Sequence, residues 1–156
     1  MQKIVPNLWF DTEAEEAANF YTSIFKDSEV TSVTHYGAAG PRPAGMVMTV
    51  NFRLQGQDFT AINGGPEFRF NEAISFLVPC ESQEEVDELW DTLSEGGEKG
   101  PCGWLKDRFG LSWQVVPTVL DKLLQDEDSE KADRAMKAML QMKKLDIAKL
   151  QEAHDG

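Results

Sequence analysis

An internal repeat limits the folds that are open to this sequence. Two segments seventy residues apart, Thr12-Glu13-Ala14-Glu15 and Ser82-Gln83-Glu84-Glu85, have the S/T-x-x-E spacing of a helix capping box. Each box follows a short apolar segment, residues 4–10 and 74–80, and precedes apolar residues at helical spacing. Each half is therefore predicted to begin with a strand that leads into a helix.

The stretch after each predicted helix is rich in β-forming residues. In the first half, residues 46–54 alternate apolar and polar side chains, and a turn at Gln55-Gly56-Gln57 returns the chain. In the second half, two short β-rich segments flank the turn around Asp107 and Gly110. Each half is thus predicted to form a strand, a helix and about three further strands, which is a βαβββ module.

We predict an α+β fold in which two modules, residues 1–72 and 73–117, form a cupped mixed sheet with its helices outside. Residues 118–156 carry apolar side chains at helical spacing and predict a C-terminal helical extension. The Met-rich stripe of this extension can pack on its own domain or on another subunit. We expect the second arrangement, in a homodimer, because two small modules already fill their own cores.

The composition excludes several classes of protein. The 156 residues include 9 Phe and 4 Trp, too many for a chain that never packs, and no apolar run reaches the ~18 residues that span a membrane. The N-terminus lacks a signal-peptide pattern and Cys80 and Cys102 make no disulfide framework, so we expect a cytoplasmic protein. The net charge of -12, with basic residues interleaved among acids, argues against nucleic-acid or membrane partners.

Strand alternation separates an apolar set of residues, which should meet the helices, from a mixed set on the open face of the sheet. An apolar wall with a few polar groups is the lining that a small-molecule pocket needs. The mixed set contains Asn7, Trp9, Thr49, Asn51, Arg53, Ser75 and Gln114. The candidate ligand-binding residues are Trp9, Asn51, Arg53, Ser75 and Gln114 from this set, together with Trp104 and Asn63.

Each candidate also has a structural interpretation that the sequence leaves open. Arg53 can form a salt bridge with Asp58 across the hairpin, and Asn63 can belong to a simple turn, Asn63-Gly64-Gly65-Pro66. The other candidate amides can be structural hydrogen-bonding groups, and the two tryptophans can be core or interface aromatics. Both cysteines are expected to be buried and inert, and Asp107 is expected to shape its turn.

Several motifs resemble those of the PhnB-like family, which also carries a 3-demethylubiquinone 3-methyltransferase-like label. They are Pro6-x-Leu8-x-Phe10, Phe20-Tyr21 before Ile24-Phe25, Asn63-Gly64-Gly65-Pro66, Phe70-Asn71, Gly103-Trp104-x-x-Asp107-x-Phe109-Gly110-x-x-Trp113-Gln114-x-x-Pro117, and the tail segment Met142-Lys143-Lys144-Leu145-Asp146-Ile147 with Leu150. The resemblance implies the vicinal-oxygen-chelate, or glyoxalase/bleomycin-resistance, superfamily. That superfamily has paired βαβββ modules, usually in homodimers, and includes glyoxalase I, extradiol dioxygenases, fosfomycin-resistance enzymes and bleomycin-binding proteins.

The resemblance also implies where a metal would bind. Enzymes of the superfamily place His, Gln or Glu on four strands around a divalent metal, and Gln114 stands where the D-x-x-G-x-x-x-E motif has its glutamate. The other three positions fall near Val5 or Asn7, near Ala61 or Ile62, and near Ala73 or Ser75, which are poor ligands. His35 and His154 lie outside these strands. We therefore predict no metal of the usual type and no cofactor.

The sequence predicts a small-molecule-binding protein whose ligand is partly aromatic or anionic. Two alternatives stay open: an enzyme of isomerase, dioxygenase or transferase type that uses a metal or a general base, and an interaction protein whose cup is filled by side chains. No G-x-G-x-G loop follows the first strand, so the sequence gives no support for an S-adenosylmethionine pocket.

Overall fold

The computed structural model describes residues 4–156 and divides the chain into two compact units, Met1–Phe70 and Asn71–Gly156. Each unit contains one four-stranded mixed sheet. The first unit is built from β1 (Asn7–Phe10), α1 (Ala14–Ile24), β2 (Glu29–His35), β3 (Val47–Leu54) and β4 (Gln57–Asn63). The sheet order is β1-β4-β3-β2, with β1 parallel to β4 and the other pairs antiparallel.

The second unit repeats this arrangement. It contains β5 (Ser75–Cys80), α2 (Gln83–Ser94), β6 (Glu98–Lys99), β7 (Trp104–Lys106) and β8 (Ser112–Pro117), followed by α3 (Val119–Leu124), α4 (Ser129–Leu140) and α5 (Ile147–Asp155). The sheet order is β5-β8-β7-β6, with β5 parallel to β8 and the other pairs antiparallel. The predicted α+β fold of two βαβββ modules with C-terminal helices is therefore confirmed.

The strand pairing makes the two units comparable position by position. Leu8 pairs with Ala61 in the first unit, and Val78, seventy residues after Leu8, pairs with Val115 in the second. Ala61 is thus equivalent to Val115. Continuing along the antiparallel pairs matches Asn51 with Trp104, Thr60 with Gln114, Arg53 with Lys106, and Asp58 with Ser112.

Alternation along the strands produces one buried and one open face per sheet. On β3, Val50, Phe52 and Leu54 are buried, whereas Asn51 and Arg53 between them are partly exposed. The apolar face packs on α1, whose buried residues Ala17 and Tyr21 lie on one helical stripe. Burial of a side chain such as Phe52 contributes about 1.5–3 kcal/mol, so this face fixes the register of the sheet.

The two capping boxes have different outcomes. Ser82 caps α2 as predicted: its Oγ accepts a hydrogen bond from the Glu85 N–H at 3.2 Å. The box at Thr12 does not form, because the Thr12 hydroxyl bonds to Glu13 and no side chain of the cap residue bonds to α1. That helix receives its cap from Asn63 instead, at the end of β4.

The C-terminal helices pack within the second unit. A core cluster contains Leu120 and Leu123 of α3, Ala135 of α4, Leu145, and Leu150 of α5, and Met139 packs against it. Ala135 and Met139 of the Met-rich stripe thus pack within their own unit, and our expectation that the stripe faces a partner subunit stays a prediction for the rest of the stripe. Met136 and Leu140 remain exposed on α4. None of the helices in residues 4–156 has the length and apolar character needed to cross a bilayer.

Candidate functional site

The polar side chains on the open face of the first sheet bond mainly to one another. The Thr60 hydroxyl donates to Asn51 Oδ1 at 2.7 Å, and Asn51 Nδ2 donates to Ser32 Oγ at 2.9 Å. The hydroxyl oxygens of Thr34 and Thr49 lie 2.6 Å apart. The Asn51 amide, a predicted ligand contact, is therefore already used within the sheet.

Arg53 lies between two carboxylates on the same open face. Its Nε is 3.0 Å from Asp58 Oδ1, and one of its terminal nitrogens is 3.1 Å from Glu29 Oε1. The salt bridge to Asp58 is the structural interpretation that the sequence offered, and the bond to Glu29 adds a second acid. An anionic ligand would have to displace a carboxylate to reach this guanidinium.

Trp9 anchors the loop that follows β4. Its indole N–H donates to the Gly65 carbonyl at 2.9 Å, and its ring meets Phe68 edge to face at 5.0 Å between centroids. A side chain at Gly64 would collide with the Trp9 ring, so glycine is needed there for the close approach. The arrangement makes Trp9 a structural residue of the first unit.

Asn63 lies on the opposite side of the first sheet from Asn51 and Arg53. It is buried, its Oδ1 accepts from the Ala14 N–H at 2.8 Å, and its Nδ2 donates to the Val47 carbonyl at 3.1 Å. These bonds hold the start of α1 and the start of β3 together. The position therefore separates Asn63 from the other candidates of its unit.

The open face of the second sheet brings three candidates together. Two of them, Trp104 and Gln114, are cross-strand partners, and Gln114 also pairs with Leu77, which was not a candidate, so one row of side chains runs across β7, β8 and β5. Gln114 Nε2 donates to Ser75 Oγ at 2.9 Å. Leu77 in this row is 55% exposed, which is unusual for a leucine in a sheet.

A cavity of about 490 Å³ opens on this second sheet. This volume lies within the range of small-molecule sites. Its wall is predominantly apolar and includes Pro101, Cys102, Trp104 and Leu105, and its charged lining consists of Glu72, Glu98, Lys99 and Lys106. Trp104 is the predicted candidate that lines this cavity.

Ser112 also lines the cavity and was absent from the candidate set. It is only 1% exposed, and within residues 4–156 its Oγ is the buried side-chain oxygen that has no hydrogen-bond partner. Strand alternation placed Ser112 on the same face as Gln114, which is the signal that could have identified it. The missing partner depends on the three-dimensional positions of its neighbours.

One of the two cations in the cavity lining, Lys106, is paired within the lining itself. Lys106 forms an ion pair with Glu72, and this hydrogen bond, more than the further charge of Glu98, raises the pKa of the Lys106 ammonium. Lys106 therefore stays cationic at neutral pH and already has Glu72 as its ion-pair partner. The cavity therefore offers no uncommitted charge at Lys106.

The two thiols have different environments. Cys80 is buried, and burial, together with the nearby charges of Glu85 and Glu81, raises its pKa to about 12, so it is inert as expected. Cys102 is only partly buried and lines the cavity, where we expected a buried thiol.

Asp107 shapes the turn before β8, as the sequence suggests. Its Oδ1 accepts from the N–H groups of Phe109 and Leu111 at 2.8 and 3.1 Å, and its Oδ2 accepts from the Trp113 indole at 2.9 Å. This explains why the signature needs Asp at this spacing from Trp113. A carboxylate that accepts three hydrogen bonds holds this turn in one conformation.

The C-terminal extension supports the cavity wall. The N–H groups of Cys102 and Gly103 donate to the carbonyls of Met142 and Lys143, both at 2.8 Å. Gly103 has a φ of +86° and a Cβ there would lie 3.0 Å from Leu145, so this position requires glycine. The turn that carries Cys102 is thus held in place by the segment between α4 and α5.

The donor set does not fit the divalent metal that the superfamily implies. Over residues 4–156, no three His, Cys, Asp or Glu side chains come together in a way that could hold a metal ion. Gln114 bonds to Ser75, and a serine hydroxyl is a weak, neutral ligand for a divalent metal. His35 is exposed on β2. His154 is buried in α5 with its Nε2 2.8 Å from Asp126 Oδ2.

Comparison with solved structures places the fold among known proteins. A Bacillus cereus protein described as a PhnB protein and putative 3-demethylubiquinone-9 3-methyltransferase is 38% identical, with a TM-score of 0.66 over 75% of this chain and 100% of its own. A Pseudomonas aeruginosa protein is 23% identical, with a TM-score of 0.61 over 75% of this chain and 98% of its own. The fosfomycin-resistance protein of Listeria monocytogenes, at 15% identity and a TM-score of 0.53, covers 78% of this chain and 97% of its own and shares the fold.

The sequence itself gives the same assignment. A search of curated proteins finds no match. The model of the family described as 3-demethylubiquinone-9 3-methyltransferase matches residues 2–116, which includes both modules and ends before the C-terminal helices. Together with the 38% identity to the Bacillus cereus PhnB protein, this match shows that the chain belongs to the PhnB-like, 3-demethylubiquinone-9 3-methyltransferase family.

Proposed function

We propose that this protein binds a small organic molecule in the cavity of its second unit, without the divalent metal of the wider superfamily. The observation that carries the proposal is the cavity of about 490 Å³ on the open face of the second sheet. Its apolar wall and its few polar groups match the general design of a small-molecule site. The donor set around Gln114 supports binding without metal.

Trp104 is the proposed main contact. It lines the cavity, and an indole ring supplies a large apolar surface against which a planar molecule can stack. We also retain Gln114 and Ser75 as proposed polar contacts, because they share the open face with Trp104 and bond to each other. Trp9, Asn51, Arg53 and Asn63 already have bonds within the first unit, so we keep them only as secondary proposed contacts.

Other expectations from the sequence are kept as proposals. We propose a homodimer in the cytoplasm, with neither nucleic acid nor membrane as a partner, in keeping with the net charge of -12. Leu77, which pairs with Gln114, is an exposed apolar residue on the open face of the second sheet, and this supports the proposal that a ligand or a second subunit covers that face.

Cys102 provides a direct test of the cavity. Iodoacetamide should alkylate Cys102 and spare Cys80, whose pKa of about 12 leaves almost no thiolate at neutral pH. Naphthol, a planar probe of suitable size, should slow alkylation of Cys102 when it fills the cavity. Peptide mapping by mass spectrometry measures the rate at each cysteine.

A pair of variants controls the experiment. Trp104→Ala should remove the protection by naphthol, whereas Phe68→Ala, which truncates an aromatic side chain that is 64% exposed in the first unit, should leave it unchanged. If naphthol fails to protect Cys102 in the unaltered protein, the proposed function is wrong.

A further inference from the structure

We propose that the cavity of the second unit selects uncharged aromatic molecules that carry one hydrogen-bonding group, and that Ser112 Oγ binds this group. The inference rests on the proposed function and names the class of ligand. It replaces the broader expectation of an aromatic or anionic molecule. Ser112 thereby becomes the specificity-determining residue of the site.

The first argument is the state of the Ser112 hydroxyl. It lines the cavity, it is almost completely buried, and no group in the described part of the chain bonds to it. A buried hydroxyl without a partner lowers the stability of a folded protein. A ligand that bonds to Ser112 would remove this unfavourable term, so the interaction favours the bound state.

The second argument comes from the equivalent position in the first unit. There Asp58 occupies the place of Ser112 and pairs with its cross-strand neighbour Arg53 at 3.0 Å. In the second unit the neighbour is Lys106, which bonds to Glu72. The residue at this position of the fold therefore forms a salt bridge with its cross-strand neighbour in the first unit, whereas in the second unit its hydroxyl has no partner.

The third argument is charge. Two lysines and two glutamates line the cavity, so the lining has no formal net charge. Lys106, the cation beside Ser112, already has Glu72 as a partner and Glu98 nearby. A carboxylate ligand would compete with these acids in a protein of net charge -12, whereas an uncharged ligand would not.

Access to Ser112 requires a small movement. Lys106 is its cross-strand neighbour and projects from the same face, so its side chain must shift for a ligand to reach the hydroxyl. The Lys106–Glu72 pair is partly exposed to solvent, with side-chain exposures of 38% and 59%, and exposed pairs are weak. Binding therefore needs only the displacement of a weak surface interaction.

The test compares three probes that share one ring system: naphthol, methylnaphthalene and naphthoate. Equilibrium dialysis against the full chain at neutral pH should give about fivefold tighter binding of naphthol than of methylnaphthalene, the effect of one hydrogen bond. Naphthoate should bind about tenfold more weakly than naphthol, because Lys106, the cation beside Ser112, is already paired with Glu72 and the protein as a whole is acidic. Ser112→Ala should abolish the difference between naphthol and methylnaphthalene.

The outcomes separate the two proposals. If the probes protect Cys102 but naphthoate binds as well as naphthol, or the naphthol preference survives in Ser112→Ala, the inference is overturned and the proposed function stands. If no probe protects Cys102, both are overturned. Should Ser112→Ala fail to fold, Ser112→Cys, which keeps the size but bonds weakly, must show the same loss of preference.

Discussion

The two units have the same topology, but their open faces differ. In the first unit the polar side chains bond to one another. Asn51 bonds to Thr60 and to Ser32, and Arg53 forms salt bridges with two acidic residues. In the second unit the equivalents of Asn51 and Asp58 are Trp104 and Ser112, and a cavity lies there. The comparison teaches that one βαβββ framework can carry two kinds of open face. One has polar side chains that bond to one another, and the other has an apolar cavity, and a few residues at alternate strand positions make the difference.

The units also differ in how their helices begin. In the second unit the cap is local, since Ser82 precedes α2 directly. In the first unit the cap is Asn63, on a strand 49 residues from Ala14. Since Asn63 is equivalent to Pro117, which has no side-chain donor or acceptor, the second unit could not use the same solution.

The largest loss of folding stability is expected from a substitution in the C-terminal extension, which has no counterpart in the first unit. Leu145→Ala should destabilise the second unit by about 4 kcal/mol, because Leu145 is fully buried and packs against Gly103. Urea unfolding, followed by fluorescence, measures this loss. Cys102 should also react faster with iodoacetamide, because its turn loses support.

The matched control for Leu145→Ala is Leu140→Ala. Leu140 lies in the same extension but is 56% exposed, so its truncation should cost well under about 1 kcal/mol and leave Cys102 unchanged. Equal effects of the two substitutions would show that the extension does not support the cavity wall through Leu145.

The next effect tests the two kinds of helix cap. Asn63→Ala should cost about 2 kcal/mol, because it leaves the buried N–H of Ala14 and the carbonyl of Val47 without partners. Ser82→Ala should cost about 1 kcal/mol, since its cap is exposed to water. Chemical unfolding of both variants gives the order, and a larger loss for Ser82→Ala would contradict it.

A smaller difference in folding stability is expected between substitutions of the equivalent residues Asp58 and Ser112. Asp58→Ala should lower the free energy of unfolding by less than about 1 kcal/mol, since its salt bridge to Arg53 is partly exposed. Ser112→Ala should be neutral or slightly stabilising, because it removes an unpaired buried hydroxyl. A loss above about 1 kcal/mol for Ser112→Ala, measured by thermal unfolding, would mean that Ser112 has a structural partner.

The parts of this protein that sequence predicts well are those encoded locally. The repeat, the alternation on β3 and the turn at Asp107 depend on neighbours within a few residues. The cap by Asn63 depends on strand pairing, so the box at Thr12 was the wrong choice. The missing partner of Ser112 reflects the pairing of its neighbour Lys106 with Glu72, and no periodicity in the sequence carries that information.

The residues of the candidate site show the same difference between what is encoded locally and what depends on distant neighbours. Ser75 and Gln114 share one face as strand alternation predicts, and Trp104, taken from the family motif, lies on the same face; that they contact a ligand stays a prediction. Arg53 was placed on the correct face, yet its second partner, Glu29, comes from the edge strand and could not be anticipated. The sequence therefore predicts the faces on which side chains lie but not the bonds that occupy them.

The smallest expected effect is a pH dependence confined to the extension. His154 bonds to Asp126 and Asp155 at 2.8 and 3.3 Å. The pKa of Asp126 is lowered by the Asp128 N–H and then by His154, and that of Asp155 by Gln151 and then by His154. Because both carboxyl groups have a lower pKa in the folded state than when unfolded, their stabilising contribution is complete above about pH 4 and is lost as the pH falls through their folded values.

Amide hydrogen exchange at residues 147–155 measures this effect. Acidification from about pH 5 to about pH 3 should reduce protection in α5, after correction for intrinsic exchange rates, while β3 and β4 keep theirs. Asp126→Asn should weaken the dependence because it removes a titrating partner of His154, whereas Asp58→Asn in the first unit should leave α5 unaffected. If α5 loses no protection, or loses as much in Asp126→Asn as in the unaltered chain, the carboxylates at His154 do not hold the end of the extension in place.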